Sequence, residues 1–256
     1  MPVVKLVLAY DGSAFRGFAR QPRTRTVQGL LEEALQRVLG EVPKLSVAGR
    51  TDAGVHALGQ VVSFEAGADP HRIQRSVNKL LAPEVVVREA GLAPAGFDAR
   101  HSATAREYRY RIRTSVWPDP FTARFEWHRP GTLALGRMRE AARLLVGEHD
   151  FASFCRPPEG STVRNLRRLS VSRDGEILEI GAVADAFLRQ MVRSLVGTLV
   201  AVGAGRADPE TMPAVLEARD RAAAGPVAPP DGLTLLRVRY GPHPQGPGRS
   251  RVSGER

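Results

Sequence analysis

The segment best suited to chemistry is the decapeptide 48–57, Ala-Gly-Arg-Thr-Asp-Ala-Gly-Val-His-Ala. Its carboxylate, Asp52, could act as a nucleophile or a proton acceptor, and it lies between two predicted strands, where a loop can present a side chain on a rigid scaffold. An aspartate followed by Ala-Gly is also typical of a turn in which the carboxylate only binds nearby backbone N–H groups. The aspartate alone leaves both interpretations open.

His56, near the end of this segment, could serve as a general base, but no partner residue lies near it in the sequence, which favours a structural role. The other histidines lack the spacing of a metal site. There is no Walker loop, no His-Glu-x-x-His and no complete Gly-x-Gly-x-x-Gly. The sequence therefore gives no support to nucleotide-driven or zinc chemistry.

A second distinctive stretch, 106–113, alternates tyrosines with arginines. In a strand this alternation places Tyr108 and Tyr110 on one face and three arginines on the other. A tyrosine beside a cleft can stack on a nucleic-acid base, a contact worth about 1–3 kcal/mol. Both tyrosines could instead be core residues, and we expect that for Tyr110.

The chain is strongly basic, with 37 Lys and Arg against 27 Asp and Glu, a net charge of +10 and a pI near 10.8. Such a balance is typical of a protein that binds a polyanion, and nucleic acid is the leading partner. The densest cluster, in the loop after the first predicted strand, consists of Arg16, Arg20, Arg23 and Arg25. These arginines could follow a phosphate backbone or simply solvate the loop.

Composition also indicates the compartment. The single cysteine, Cys155, cannot form an internal disulfide, which suits a reducing cytosol. The first residues form an alternating strand pattern without a cleavage site for a signal peptide, and no apolar run reaches the roughly 18 residues of a membrane span. We expect a soluble, cytoplasmic protein that does not associate with membranes.

The hydrophobic periodicity predicts two consecutive β-α-β-β-α-β units. In the first unit the predicted strands are 3–9, 45–49, 60–64 and 85–90, and the helices are 27–39 and 70–81. In the second unit the strands are 104–113, 166–172, 176–182 and 233–240, and the helices are 135–146 and 186–202. An additional helix is predicted over 209–219, and a loop over 225–232 precedes the last strand.

The predicted fold class is α/β (α+β), with two ferredoxin-like or RRM-like halves and mainly antiparallel sheets. We place the N-terminal domain at 1–104, the C-terminal domain at 105–240 and a disordered tail at 241–256, where Gly, Pro, Ser and Arg dominate. The helix predicted over 186–202 places Arg189 and Arg193 on a shared flank, where they could serve the site or only solvate the helix.

Several motifs in order resemble those of the tRNA pseudouridine synthase A family. The signature is Gly-Arg-Thr-Asp-Ala-Gly-Val-His at 49–56. The others are Tyr-Asp-Gly-Ser at 10–13, Gly-Gln-Val-Val at 59–62, Phe-Asp-Ala-Arg-His-Ser-Ala-Thr-Ala-Arg-Glu-Tyr-Arg-Tyr at 97–110, Gly-Glu-His-Asp-Phe-Ala-Ser-Phe at 147–154, and Ala-Phe-Leu-Arg-Gln-Met-Val-Arg at 186–193. Only residues 1–2 and 241–256 lie outside the resemblance.

The resemblance implies the pseudouridine synthase fold, a homodimer, no metal or organic cofactor, and conversion of uridine to pseudouridine at positions 38, 39 and 40 of the tRNA anticodon stem-loop. It makes Asp52 the catalytic nucleophile, Arg193 its basic partner, Tyr108 the aromatic that stacks on the target base, and Arg50 a substrate-binding neighbour on the signature loop. No second carboxylate lies within the signature, which favours rearrangement over glycoside hydrolysis.

Two departures from the family pattern concern substrate contacts. Gly17-Phe18-Ala19 stands where the family usually has Gly-Trp-Gln, which bears on the details of tRNA contact. Asp185 replaces the usual asparagine and is expected to add a negative charge near Arg193 that alters its pairing.

Two other classes of protein fit parts of the pattern. A non-enzymatic tandem RNA-binding protein would share the repeated fold and the strand aromatics, but it should tolerate Asp52→Asn. A metal-dependent phosphoesterase would need clustered acidic or histidine ligands and divalent ions, and its activity would be lost in a chelator.

Overall fold

The structure is a computed structural model that describes residues 1–156 and 160–241. In these residues the strands are β1 (Val3–Tyr10), β2 (Ser46–Val47), β3 (His56–Glu65), β4 (Val85–Ala93), β5 (Ala103–Arg113), β6 (Trp127–His128), β7 (Gly147–Asp150), β8 (Val163–Asp174), β9 (Ile177–Ala184) and β10 (Leu233–Tyr240). The helices are α1 (Val27–Leu39), α2 (Pro70–Leu81), α3 (Leu135–Leu144), α4 (Met191–Gly203) and α5 (Met212–Ala218).

All of these strands belong to one mostly antiparallel sheet with the main order β4-β1-β3-β10-β5-β9-β8-β7. The first half reads β4-β1-β3-β2, and the second reads β10-β5-β9-β8 once the short strands β6 and β7 are set aside. Among its four main strands, each half therefore has the order fourth, first, third, second. This order is that of a ferredoxin-like split β-α-β unit. The predicted α+β fold class is confirmed, while the boundary near residue 104 stays a prediction.

The two halves join along a short seam. Strands β3 and β10 pair in parallel at only two positions, His56 with Thr234 and Ala57 with Leu235. On its other side β10 pairs antiparallel with β5 along most of its length. Strand β10, the last strand among the described residues, therefore lies in the middle of the sheet.

The first two helices form where their caps predict. The Thr26 side chain accepts a hydrogen bond from the N–H of Gly29, and Gly40 ends α1 in the left-handed region at φ 85°. Asp69 accepts from the first free N–H groups of α2 and is followed by Pro70. On α1, Leu31 and Leu35 are fully buried in the same core as the alternate residues of β1, so the helix covers that sheet face.

The helix predicted over 186–202 is shorter than expected, because α4 begins only at Met191. The N–H of Ala186 is bound by the side chain of Asp185, and Gln190 has φ 65°, a left-handed conformation that interrupts a helix. The apolar pattern continues through this turn and hides the break. Arg189 therefore precedes the helix, and the predicted shared flank with Arg193 is wrong.

Other elements also differ from the bounds predicted from the sequence. Strand β2 has two residues instead of five, and the helix predicted over 209–219 is a short 3-10 turn followed by α5. The predicted tail 241–256 lies outside the described residues except for Gly241. Within the described part of the chain, no helix is both long and apolar enough to cross a bilayer.

On the sheet face opposite Tyr108, Glu107 is buried beneath three arginines. Its carboxylate accepts from Arg168 at 2.8 Å, Arg237 at 2.7 Å and Arg239 at 3.1 Å. Burial alone would raise the pKa of Glu107, but the hydrogen bonds and charges of these arginines outweigh it and lower the pKa from 4.5 to about 2. The carboxylate is ionised wherever the protein is handled near neutral pH.

This low pKa predicts an acid-dependent contribution to stability. Glu107→Gln should lower the free energy of unfolding by about 1–2 kcal/mol at pH 7, a value reduced by solvent screening of the half-exposed arginines. A group whose pKa is lowered by folding stabilises the protein above its unfolded pKa, so the difference from wild type should shrink as the pH falls from 4.5 to 2. Urea unfolding over this pH range, with exposed Glu33→Gln as control, measures it. A difference independent of pH would contradict the assignment.

Candidate active site

The loop that carries Asp52 connects β2 to β3 and is held at almost every residue. The carbonyl of Gly49 accepts from Nε2 of Gln60 at 2.5 Å, and the Thr51 hydroxyl is 2.8 Å from the hydroxyl of Tyr10. The carbonyl of Thr51 accepts from the N–H of Phe18 at 3.0 Å. Because its neighbours are fixed by these contacts, Asp52 is presented on a rigid support.

The structure brings Asp52 and Arg193 together. Nη1 of Arg193 lies 3.5 Å from Oδ2 of Asp52, and the two side chains are 14% and 26% exposed. Arg193 is in the first turn of α4, where the helix dipole adds positive potential near the carboxylate. An ionised carboxylate facing an arginine in a partly closed site can interact with an electron-poor sugar carbon or with a proton.

Arg193 is itself held by the segment 225–232, which crosses α4. Its Nε donates to the carbonyl of Ala228 at 2.7 Å, and the N–H of Ala228 donates to the carbonyl of Arg193 at 3.1 Å. The close approach requires a glycine on the helix, since a Cβ at Gly197 would lie 1.6 Å from the Pro226 carbonyl oxygen. The sequence did not predict this role for the loop, because contacts across some 35 positions leave no local pattern.

Tyr108 points toward the loop that carries Asp52. Its hydroxyl lies 3.9 Å from where a Cβ would sit on Gly49, and its ring meets Phe187 edge-on at 5.2 Å between centroids. The side chain is only 7% exposed, and its hydroxyl has no hydrogen-bond partner among the described residues. Burial raises its pKa, and Tyr10 and the charge of Asp52 raise it further, so it stays protonated at neutral pH.

Tyr110 is a core residue, as predicted. It is fully buried and donates its hydroxyl to the carbonyl of Pro229 at 2.8 Å. Burial raises the pKa of this hydroxyl, although the charge of Arg193 opposes the shift. Tyr110 therefore supports segment 225–232 from beneath.

His56 has partners that the sequence did not reveal. Its Nδ1 accepts from the N–H of Gly12 at 3.0 Å and lies 3.2 Å from the Asp11 carboxylate, while Nε2 is 3.1 Å from the carbonyl of Asp231. The buried ring thus connects the Tyr-Asp-Gly-Ser motif to the segment before β10. The one sequence feature that could have indicated a partner for His56 is Asp11, which belongs to the Tyr-Asp-Gly-Ser motif.

The four loop arginines are exposed, but they differ in their partners. Arg20 pairs with Glu32 at 2.7 Å and Arg25 pairs with Glu84 at 2.6 Å. Arg16 and Arg23 form no ion pair with any described residue. Arg50, two residues before Asp52, is also exposed and likewise unpaired within the described part of the chain.

The two departures from the family pattern have structural explanations. Phe18 is fully buried and packs against Tyr10 at 6.1 Å between centroids, so it belongs to the core. The Asp185 carboxylate accepts from the N–H groups of Asn165 and Ala186, and no ion pair with Arg193 is found in the described residues. The expected change in the pairing of Arg193 is therefore wrong, because backbone donors engage that carboxylate.

Among residues 1–156 and 160–241, no group of three or more His, Cys, Asp or Glu side chains is arranged to share a metal ion.

The chain matches known proteins over almost its whole length. The family model described as "tRNA pseudouridine synthase" matches residues 6–99 and 141–241. Proteins named tRNA pseudouridine synthase A are similar to it: one from Frankia casuarinae is 49% identical, covering 98% of this chain and 93% of its own. One from Geotalea uraniireducens is 42% identical, covering 94% and 100%, and one from Geobacillus kaustophilus is 43% identical, covering 93% and 94%. With its motifs and its paired Asp52 and Arg193, the chain belongs to the tRNA pseudouridine synthases, which are isomerases.

Proposed function

We propose that this tRNA pseudouridine synthase acts on uridines 38, 39 and 40 of the anticodon stem-loop, with Asp52 as the catalytic nucleophile. The observation that carries the proposal is the Asp52–Arg193 pair, held on a rigid loop beside Tyr108. The loop comes from the first half and Arg193 from the second, so the target uridine would bind between the halves. The positions in the stem-loop follow from the resemblance of the motifs.

The reaction breaks the bond from uracil N1 to C1′ of the ribose, turns the base and joins its C5 to C1′. C5 loses its proton to solvent and N1 takes up a proton, so the composition of the nucleotide is unchanged. The ion-pair partner of Asp52 is an arginine, whereas glycoside hydrolysis uses a second carboxyl group to activate water. Attack on C1′, attack on C6 and removal of the 2′ hydrogen all begin from an ionised carboxylate. Because isomerisation adds and removes no net atoms, we propose that it needs no cofactor and survives a chelator.

Transcripts with uridine at a single anticodon-stem position test the choice of substrate. Tritium at C5 should be released from tRNA with uridine at 38, at 39 or at 40, and not from a transcript with cytidine at all three. Release from uridines elsewhere in the tRNA would contradict the positional assignment and leave the family's reaction intact.

We propose that Tyr108 contacts the target base through its ring, with Arg50 binding the nearby backbone. Tyr108→Phe retains the ring, so turnover should fall by no more than about 3-fold, whereas Tyr108→Ala removes a base contact worth about 1–3 kcal/mol. Single-turnover rates of the two variants measure the difference. Loss of all activity in Tyr108→Phe would instead assign the chemistry to the hydroxyl, which lacks a described partner.

We propose that Arg16, Arg20, Arg23 and Arg25 bind tRNA phosphates. Replacing Arg16 and Arg23 together with alanine should reduce the slope of log affinity against log salt by about 1.5, since each phosphate contact contributes roughly 0.7–0.9. The matched pair Arg20→Ala and Arg25→Ala should change it less, because Glu32 and Glu84 already neutralise these charges. Filter binding at several salt concentrations distinguishes them, and equal slopes for all variants would remove this loop from the interface.

The oligomeric state, the location and the domain division of the protein complete the proposed function. We propose a homodimer, which the family resemblance implies, and a cytoplasmic location, which suits a chain whose single cysteine cannot form an internal disulfide. We also propose a division into domains 1–104 and 105–240, supported by the separate strand order of each half. Light scattering at assay concentration should give twice the chain mass of 27.8 kDa. A single chain mass would contradict the dimer.

A further inference from the structure

Arg106 is a buried cation whose partners are all backbone carbonyls. Its side chain donates to Ala48 from Nε at 3.1 Å and from Nη2 at 2.8 Å, to Arg100 at 2.9 Å, to Ala103 at 3.1 Å and to Asp185 at 2.6 Å. The residue is 8% exposed, and no carboxylate lies within ion-pair distance among the described residues. All of its hydrogen-bonding capacity is used to hold main chain.

These carbonyls belong to the segments that support the two members of the catalytic pair. Ala48 begins the loop that presents Asp52, and Asp185 begins the segment that leads into α4 and Arg193. Of the other two carbonyls, that of Arg100 lies in the connection between β4 and β5, and that of Ala103 belongs to the first residue of β5. Arg106 is also two residues from Tyr108 on β5, so the same anchor fixes the strand that carries the base-contacting ring.

We propose that Arg106 is a positioning residue that sets the placement of Asp52 relative to Arg193 by tying segments 48–55 and 185–190 to one guanidinium. This inference rests on the roles proposed for Asp52 and Arg193. Arg106 does not touch the reacting atoms. It acts through the backbone of both segments at once, and among the described residues no other side chain donates hydrogen bonds to both.

The chemistry explains why arginine is needed. Burial of a cation without an anion is unfavourable, and burial lowers the pKa of Arg106, yet a guanidinium stays charged in proteins. Hydrogen bonds from a charged donor are about twice as strong as neutral ones, and five of them offset the loss of water. A lysine has three donors at a single point and cannot reproduce the planar fork that reaches carbonyls on opposite sides.

The test is Arg106→Lys, with Arg109→Lys, a partly exposed arginine on the same strand, as the matched control. Single-turnover rate constants at saturating enzyme should fall by about 30–100-fold for Arg106→Lys, since misplacement by about 1 Å can cost 10²-fold. Affinity for tRNA, measured by filter binding, should stay within about 3-fold of wild type. The control should match wild type in both measurements, because Arg109 lies on the other sheet face.

Amide hydrogen exchange separates positioning from a general loss of structure. In Arg106→Lys, exchange should accelerate in 48–55 and 185–193 and remain unchanged in α2. A wild-type rate in Arg106→Lys, or acceleration throughout the sheet with loss of tRNA affinity, would overturn the inference. If Asp52→Ala kept its activity, the proposed catalytic roles would be wrong; if it lost activity while Arg106→Lys did not, only this inference would fail.

Discussion

Asp52→Ala should lower pseudouridine formation by on the order of 10⁴-fold or more, the size of loss seen when a nucleophile is removed. Affinity for tRNA should be unchanged or slightly higher, because the variant leaves Arg193 without its carboxylate and adds net positive charge to the cleft. The measurement is tritium release from tRNA carrying 5-tritiated uridine, since joining C5 to the sugar expels that hydrogen. Filter binding of the same tRNA gives the affinity.

The control for this experiment is Asp174→Ala, which removes an exposed carboxylate at the turn between β8 and β9. It should release tritium at the wild-type rate. Asp52→Asn adds a second comparison, since it retains the size of the side chain and removes only the charge. Release at more than about a tenth of the wild-type rate in Asp52→Asn would exclude an ionised carboxylate as the reacting group.

Arg193→Ala should reduce turnover by about 10²–10³-fold, the loss typical of removing one preorganised charged donor from an active site. Two groups lose their partner: the Asp52 carboxylate and the carbonyl of Ala228. The Kd for tRNA should change by less than about 3-fold, because Arg193 is mostly buried and faces Asp52. Single-turnover kinetics combined with filter binding separate the two effects.

Arg189→Ala is the matched control, since Arg189 is exposed and precedes α4. It should leave the rate constant of the chemical step unchanged. An equal loss of rate and of affinity in Arg193→Ala would identify Arg193 as a phosphate contact. Arg193→Lys should recover part of the rate, because it restores the charge facing Asp52 but not the planar donor that binds Ala228.

Local patterns predicted the fold well where the physical cause is local. Thr26 and Asp69 correctly predicted the starts of two helices, because a capping side chain binds N–H groups within the next three residues. The alternation of tyrosines with arginines also led to the correct prediction that Tyr110 is a core residue. The early start predicted for α4 shows the limit, since the apolar pattern continues through Gln190, whose left-handed conformation interrupts the helix.

The motifs predicted the residues of the candidate site, but they did not predict the contacts that hold those residues in place. Asp52 and Arg193 stand out as members of motifs, but the contacts of Arg193 with Ala228 and of His56 with Asp231 join residues 35 and 175 positions apart. Such contacts depend on how the sheet closes, and no local periodicity encodes them. Arg106 illustrates the same limit, since an arginine that binds only carbonyls has no complementary acidic residue to reveal it.

Because β10 lies in the middle of the sheet, the active site can form only late in synthesis of the chain. Strand β10 and the segment before it are made some 180 residues after Asp52, which at about 5–20 residues per second corresponds to roughly 10–40 s of synthesis. Until they emerge from the ribosome, the two halves have no shared seam and Arg193 has no Ala228 to hold it. A chain whose synthesis has not passed β10 therefore lacks these supports of the catalytic pair, and we expect it to be inactive on RNA.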